Sequence, residues 1–116
     1  MDWKERKTQA LLGKVVSVQV DRPIGYNHGG TVYPINYGFV PGLMGGDGEE
    51  QDVYILGVSV PLETFTGRVV AVIQRHDDCE DKLVVAPEGR VYSPEQIAAQ
   101  TAFMEQYFSS TICTEN

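Results

Sequence analysis

Four short runs of β-branched and apolar residues, at positions 14–21, 53–60, 67–75 and 82–86, are separated by segments rich in glycine and proline. In the first, Lys14, Val16, Val18 and Val20 alternate with Val15, Ser17, Gln19 and Asp21, the period of a half-buried strand with a polar second face. A turn is expected at 61–66, a loop at 22–31 and a short fifth strand at 90–92. Strands this short, joined by tight turns, read as a small antiparallel barrel in a mainly β fold.

One helix should follow the strands. Ser93-Pro94-Glu95-Gln96 carries two start signals, a serine N-cap with glutamine at N3 and a proline at N1. Beyond it Ile97, Met104 and Phe108, with Ala99, Phe103 and Tyr107, fall at helical spacing on a broad apolar stripe. That stripe is expected to pack on the barrel or on another subunit. Positions 2–12 admit a short helix closed by Gly13 or a frayed tail, and the chain from Ser109 onward reads as loose.

The 116 residues, 42% hydrophobic and 22% charged, suit one domain spanning 1–116. The longest apolar stretches, such as 69–73, are far shorter than the roughly 20 residues of a bilayer span, so no membrane partner is expected. The charged opening at 1–7 and the brief apolar 10–12 do not make a signal peptide, and Cys79 and Cys113 form no disulfide framework. A cytoplasmic location is the expectation.

Charge is unevenly placed. The net value is −7, and no lysine or arginine occurs between Arg22 and Arg68, whereas Asp47, Glu49, Glu50, Asp52 and Glu63 all fall there. Such a surface repels a phosphate backbone and argues against nucleic acid. It would accept a small phosphate substrate only with metal ions in between. Asp47, Glu49 and Asp52 stand on a glycine-broken turn leading into Val53-Tyr54-Ile55-Leu56, an arrangement of oxygen ligands that suits a hard metal ion. Acidic turns of this kind are also common as plain solvated loops. The sequence before this one adds two phenols and an amide, Tyr33, Asn36 and Tyr37, close together in Y-P-I-N-Y-G-F.

The Y-P-I-N-Y-G-F block, followed by D-G-E-E-Q-D-V and an apolar strand, resembles the soluble family I inorganic pyrophosphatases. The stretch H-D-D-C-E-D-K-L-V-V-A-P from His76 to Pro87 looks like that family's second acidic segment. The resemblance covers roughly Val15 to Pro87. It implies a five-stranded OB-like barrel with a C-terminal α-helix, and hydrolysis of pyrophosphate with Mg²⁺, or Mn²⁺, as cofactor. It assigns metal-ligand roles to Asp47, Glu49, Asp52, Asp77 and Glu80. It places Asp52, Tyr37 and Lys82 at the reaction, and Tyr33, Asn36 and Lys82 at the substrate; His28 in the preceding glycine loop is a further substrate candidate.

For the second carboxylate of that segment Glu80 and Asp81 compete. Strand alternation would put Glu80 on the face of Lys82 and turn Asp81 away. Several phosphate-binding cations of the family are missing: Ser17 and Gln19 replace a lysine and a glutamate, and both an arginine ahead of the tyrosines and a C-terminal tyrosine-lysine pair are absent. Hydrolysis of another phosphoanhydride or phosphoester, and a non-catalytic module, therefore stand as alternatives. Homo-oligomerisation is left open.

Overall fold

In the computed structural model, which describes residues 7–46, 48–78 and 80–115, Val16, Val18 and Val20 of β1 (Val15–Arg22) turn inward as their alternation demands, and Val15 lies on the exposed face. A two-stranded flap follows, β2 (Asn27–His28) with β3 (Thr31–Val32). Next come β4 (Asn36–Met44), β5 (Glu50–Ile55), β6 (Thr64–Arg75) and β7 (Lys82–Ala86), then α1 (Pro94–Glu105) and β8 (Ser110–Thr114). β1, β4, β5, β7 and β6 pair in that order, and β6 pairs back to β1, which closes the expected five-stranded barrel. The N-terminal part of β6 faces β1 and its C-terminal part faces β8.

Several elements differ from the sequence reading. The barrel is not wholly antiparallel, because β7 inserts between β5 and β6 and runs parallel to β5. Despite Gly38, Pro41 and Gly42, residues 36–44 form a strand, held by β1 on one edge and β5 on the other. The run at 53–60 stops as a strand at Ile55, and 90–92 forms none. The tail from Ser109 is not loose, since β8 pairs with Ala71 to Arg75. Of the expected N-terminal helix, a 3-10 turn over Lys7–Leu11 is seen, and residues 2–6 lie outside the described ones.

The apolar runs are unbroken because their strands are buried on both faces. Val53, Ile55, Leu83 and Val85 point into the barrel, while Tyr54, Leu56, Val84 and Ala86 point outward beneath α1. The barrel's tight curvature depends on glycine at a close crossing. Gly38 lies opposite Val20, and a Cβ there would run into the carbonyl oxygen of Gln19.

The helix begins as predicted, with Ser93 Oγ accepting from Gln96 N and the Gln96 side chain accepting from Ser93 N. Its buried seam is narrower than the expected stripe. Ile97, Thr101 and Glu105 are the buried positions, whereas Ala99 is exposed and Tyr107 is 71% exposed. The helix packs on the barrel, and its seam ends in a carboxylate because a cation waits below. Arg75, 3% exposed, donates from Nε to Glu105 Oε1 at 3.1 Å and from NH2 to Oε2 at 2.7 Å. Tyr54 donates its hydroxyl to the same Oε2 at 2.7 Å, and the Phe108 ring lies 3.6 Å from the guanidinium carbon. Burial, and next the Glu105 charge, push the Tyr54 phenol far above its ordinary range. Among the described residues no helix is long and apolar enough to cross a membrane.

Two outcomes follow from this packing. Gly38→Ala should lower unfolding free energy by about 3 kcal/mol in urea melts, since backbone sits where the methyl must go. Tyr54 keeps its proton when folded and loses it near pH 10 when unfolded, so it adds to the loss of stability as pH rises above about 10. In chemical melts between about pH 10 and 11, Tyr54→Phe should therefore lose stability less steeply than wild type, by up to about 1.4 kcal/mol per pH unit. Equal slopes would show that Tyr54 ionises freely in the folded protein.

Candidate active site

On β5 and β7 the residues that precede the inward Val53 and Leu83 face outward: these are Asp52 and Lys82. The parallel register of the two strands sets them side by side. Lys82, 4% exposed, donates from Nζ to Asp52 Oδ2 at 2.6 Å and to the Tyr37 hydroxyl oxygen at 3.0 Å. That leaves the phenolic proton of Tyr37 for the Asp52 carboxylate. Burial first, then the Asp52 charge, raise the Tyr37 phenol far above its usual range. Tyr37 is thus a hydrogen-bond donor at neutral pH and not a base.

Around this trio stands an aromatic wall. Tyr37 meets Tyr54 edge-on at 5.1 Å and Tyr33 at 5.7 Å, and Phe103 from α1 meets Tyr33 at 5.0 Å. The guanidinium of Arg22, at the end of β1, lies 5.6 to 5.8 Å from the ring centres of Tyr26, Tyr33 and Tyr37. Its NH1 donates to the Tyr33 hydroxyl at 2.6 Å. Arg22 is thus a cation held against the tyrosine block. Among the described residues Arg22 forms no ion pair, in contrast to Lys82, Arg75 and Arg68.

Beside Asp52 a small recess is lined by Gly45, Gly46, Glu50, Gln51, Glu80 and Asp81. Both rivals for the second carboxylate therefore reach it. Strand alternation does not separate them, because β7 begins only at Lys82. Asp81 is buried and accepts from the Thr8 hydroxyl at 2.7 Å, while Glu80 Oε2 lies 3.4 Å from Arg75 NH1. Gln51 is buried and donates from Nε2 to the backbone oxygens of Asp52 and Asp81, so it ties the two segments together.

The remaining candidates are placed as follows. Asp47 lies outside the described residues. Glu49 is exposed in the β4–β5 turn, where its backbone oxygen accepts from Gly45 N at 2.7 Å, and it does not line the recess. Asp77 is exposed, accepts from Ser109 N at 3.3 Å, and does not line the recess either. Asn36 is fully buried with its amide committed to backbone: Oδ1 accepts from Ile24 N and Leu62 N, and Nδ2 donates to Val60 O. It fastens two loops, with its oxygen and one of its two amide hydrogens bonded to backbone. Tyr33, 1% exposed, supports Arg22 from below. His28 is exposed on β2, 6.4 Å from the Tyr26 ring, and does not line the recess.

Sequence reasoning passed over Arg22, Glu50, Gln51 and Arg75, and also Asp21, whose carboxyl is raised by burial and, more weakly, by the nearby Asp52 charge. Only Arg22 carried a signal, as the last cation before a long acidic interval.

Among the described residues no three His, Cys, Asp or Glu side chains stand close enough to hold a metal ion. The donor chemistry nevertheless fits a hard divalent ion, because the side chains that line the recess offer carboxylate and amide oxygens, with no sulfur or imidazole. An ion there would compete with Lys82 for Asp52 and with Arg75 for Glu80.

Known proteins supply the context for this arrangement. In solved structures the fold is shared with an inorganic pyrophosphatase from Ehrlichia chaffeensis, at TM-score 0.70 and 19% identity over 89% of this chain and 87% of that one. An inorganic pyrophosphatase from Helicobacter pylori gives TM-score 0.66 at 18% identity, over 87% and 85% of the two chains. In sequence, the inorganic pyrophosphatase of Rhodospirillum rubrum is 30% identical over 71% of this chain and 51% of its own length. That of Xylella fastidiosa is 35% identical over 53% of this chain and 36% of its own. The chain thus spans only about a third to a half of the curated relatives it matches. A family model described as inorganic pyrophosphatase matches residues 5–111, and the chain belongs to the inorganic pyrophosphatase family.

Proposed function

We propose that this chain hydrolyses inorganic pyrophosphate to two phosphates in a reaction that depends on a divalent metal, Mg²⁺ or in its place Mn²⁺, in the cytoplasm. The observation that carries the reading is the meeting of Lys82, Asp52 and Tyr37 on one outer face of the barrel, with the guanidinium of Arg22, in no ion pair among the described residues, across the tyrosines. Family membership supports it.

Pyrophosphate brings several negative charges to a protein of net charge −7. Lys82 and Arg22 are the cations placed to receive its oxygens. Arg22 has donors to spare beyond the one on Tyr33, and its stacking on the rings fixes its plane before substrate arrives. Lys82 exchanges Asp52 for a phosphoryl oxygen and keeps its proton at Nζ, while Tyr37 donates its hydroxyl. Asp52, released from Lys82, joins Glu80 and Asp81 as the residues that would hold metal, with Asp47 a further candidate by its place in the sequence motif. A bound divalent ion would lower the pKa of a coordinated water and neutralise charge on the leaving phosphate. Water attacks one phosphorus, the bridging P–O bond breaks, and the bridging oxygen leaves with the second phosphate. Small phosphates are the expected partners, and the acidic surface disfavours nucleic acid.

Phosphate release from pyrophosphate should appear with Mg²⁺ or Mn²⁺ and vanish with chelator. Asp52→Asn should reduce it by about a hundredfold or more with the fold intact. Arg22→Gln should lower kcat/KM by about tenfold, the worth of one or two charge-assisted hydrogen bonds. Activity unchanged in both variants would remove this face of the barrel from the chemistry.

Metal should also be visible without turnover. An ion that binds only the folded state stabilises it by about 2.7 kcal/mol at a hundredfold excess over Kd, which corresponds to a rise of roughly 10 °C in the thermal midpoint. Mg²⁺ should achieve this where NaCl of equal ionic strength, which only screens, does much less. Equal midpoints in the two salts would reduce the acidic turn to a solvated loop.

A further inference from the structure

Helix α1 contributes no side chain to the recess or to the Lys82 trio, yet its last turn holds both from behind. We propose that Glu105 is a positioning residue for the site, fixing Glu80 through Arg75 and Tyr37 through Tyr54. The inference rests on the reading of the recess as a metal site given above.

Two arms leave the one carboxylate. On the first, Glu105 takes Nε and NH2 of Arg75 in a two-pronged pair, which orients the guanidinium so that NH1 faces the loop after β6. There NH1 lies 3.4 Å from Glu80 Oε2 and 3.5 Å from Asp78 Oδ2. Glu80 lines the recess together with Asp52. On the second arm, Tyr54 gives its hydroxyl to Glu105, which sets the Tyr54 ring, and that ring meets Tyr37 edge-on at 5.1 Å. Tyr37 in turn carries the hydrogen bond from Lys82.

Apolar packing alone would hold the helix without any of this. Ile97 supplies such packing at the other end of the same seam. A buried charge pair contributes little net stability over apolar residues of the same shape, but it fixes direction. Here each donor of the pair leads to a residue placed at the reaction. Groups that orient ligands in this way typically affect metal affinity or activity by about 10 to 100-fold when removed.

The test uses Glu105→Gln, which keeps shape and removes charge. Thr101→Val serves as a control; it lies on the same seam, with its hydroxyl bonded to Ile97 O. At a temperature where circular dichroism shows every variant folded, Mn²⁺ affinity is read from the paramagnetic resonance of the free ion, and kcat and KM from phosphate release. Glu105→Gln should bind Mn²⁺ about tenfold more weakly and lose kcat with little change in KM. Combined with Glu80→Gln it should lose no more Mn²⁺ affinity than Glu80→Gln alone, because both remove one arm. Tyr54→Phe, which cuts only the second arm, should lower kcat and leave Mn²⁺ affinity near wild type. Thr101→Val should lose thermal midpoint alone.

Wild-type Mn²⁺ affinity and kcat in folded Glu105→Gln, or losses that add to those of Glu80→Gln, overturn the inference. Should Glu105→Gln not fold, Arg75→Lys, which keeps the charge and loses the two-pronged geometry, is read in the same way. A wild-type protein that binds Mn²⁺ but releases no phosphate sinks the hydrolase reading and leaves this inference to the Mn²⁺ data. A wild-type protein that binds no Mn²⁺ overturns it.

Discussion

The parallel pairing of β5 with β7 is the constraint on which the rest of the structure turns. Parallel neighbours need a long connection between them, and here β6 provides it, crossing the barrel before β7 returns to lie beside β5. That single register places Asp52 and Lys82, 30 residues apart in the chain, in contact. It also buries both strands on two faces, so the same residues that close the core aim the charged pair outward. A slip of one residue would send Lys82 into the barrel and Leu83 to the surface, which the apolar interior forbids.

Electrostatics then decides what this face can bind. Lys82 is held by Asp52 and Arg75 by Glu105, while Arg22 rests on aromatic rings and the Tyr33 hydroxyl. Two of these cations are nearly buried and depend on their carboxylates, since a buried charge left alone is strongly destabilising. Arg22 is half-buried and less committed, which suits it to an anionic ligand. An acidic protein can therefore offer phosphate a local welcome that its net charge of −7 would deny.

The helix has a second part in this balance. Its buried seam ends in Glu105, so the element that covers the outer core also fixes the orientation of Arg75 and Tyr54. Stability and site geometry share these atoms, and the polar side chains are satisfied: among the described residues no buried side-chain nitrogen or oxygen lacks a hydrogen-bond partner.

Local signals were legible in the sequence because local chemistry produces them. Alternating valines gave β1, and Ser93 with Pro94 and Gln96 gave the start of α1 through bonds made within one turn. The Tyr37, Asp52 and Lys82 motifs were visible as residues, and closure into five strands followed from short runs and the family likeness. Hidden from the sequence were the relations that depend on long-range register. β4 was masked by its own glycines and proline: Gly38 serves a close crossing with β1, while Pro41 and Gly42 fall in the stretch between Val40 and Met44 where the register with β5 shifts. Nothing in the motif showed that Asn36 would bond two loops through its amide, and Arg22 looked like a loop residue until the strand carried it over the tyrosines. By itself the sequence determined which residues could carry charge, bind metal or start an element, because those properties belong to side chains and their near neighbours. Only the tertiary structure decided which of them meet, because contact between residues 30 or more apart is set by strand pairing and burial, which no short stretch contains.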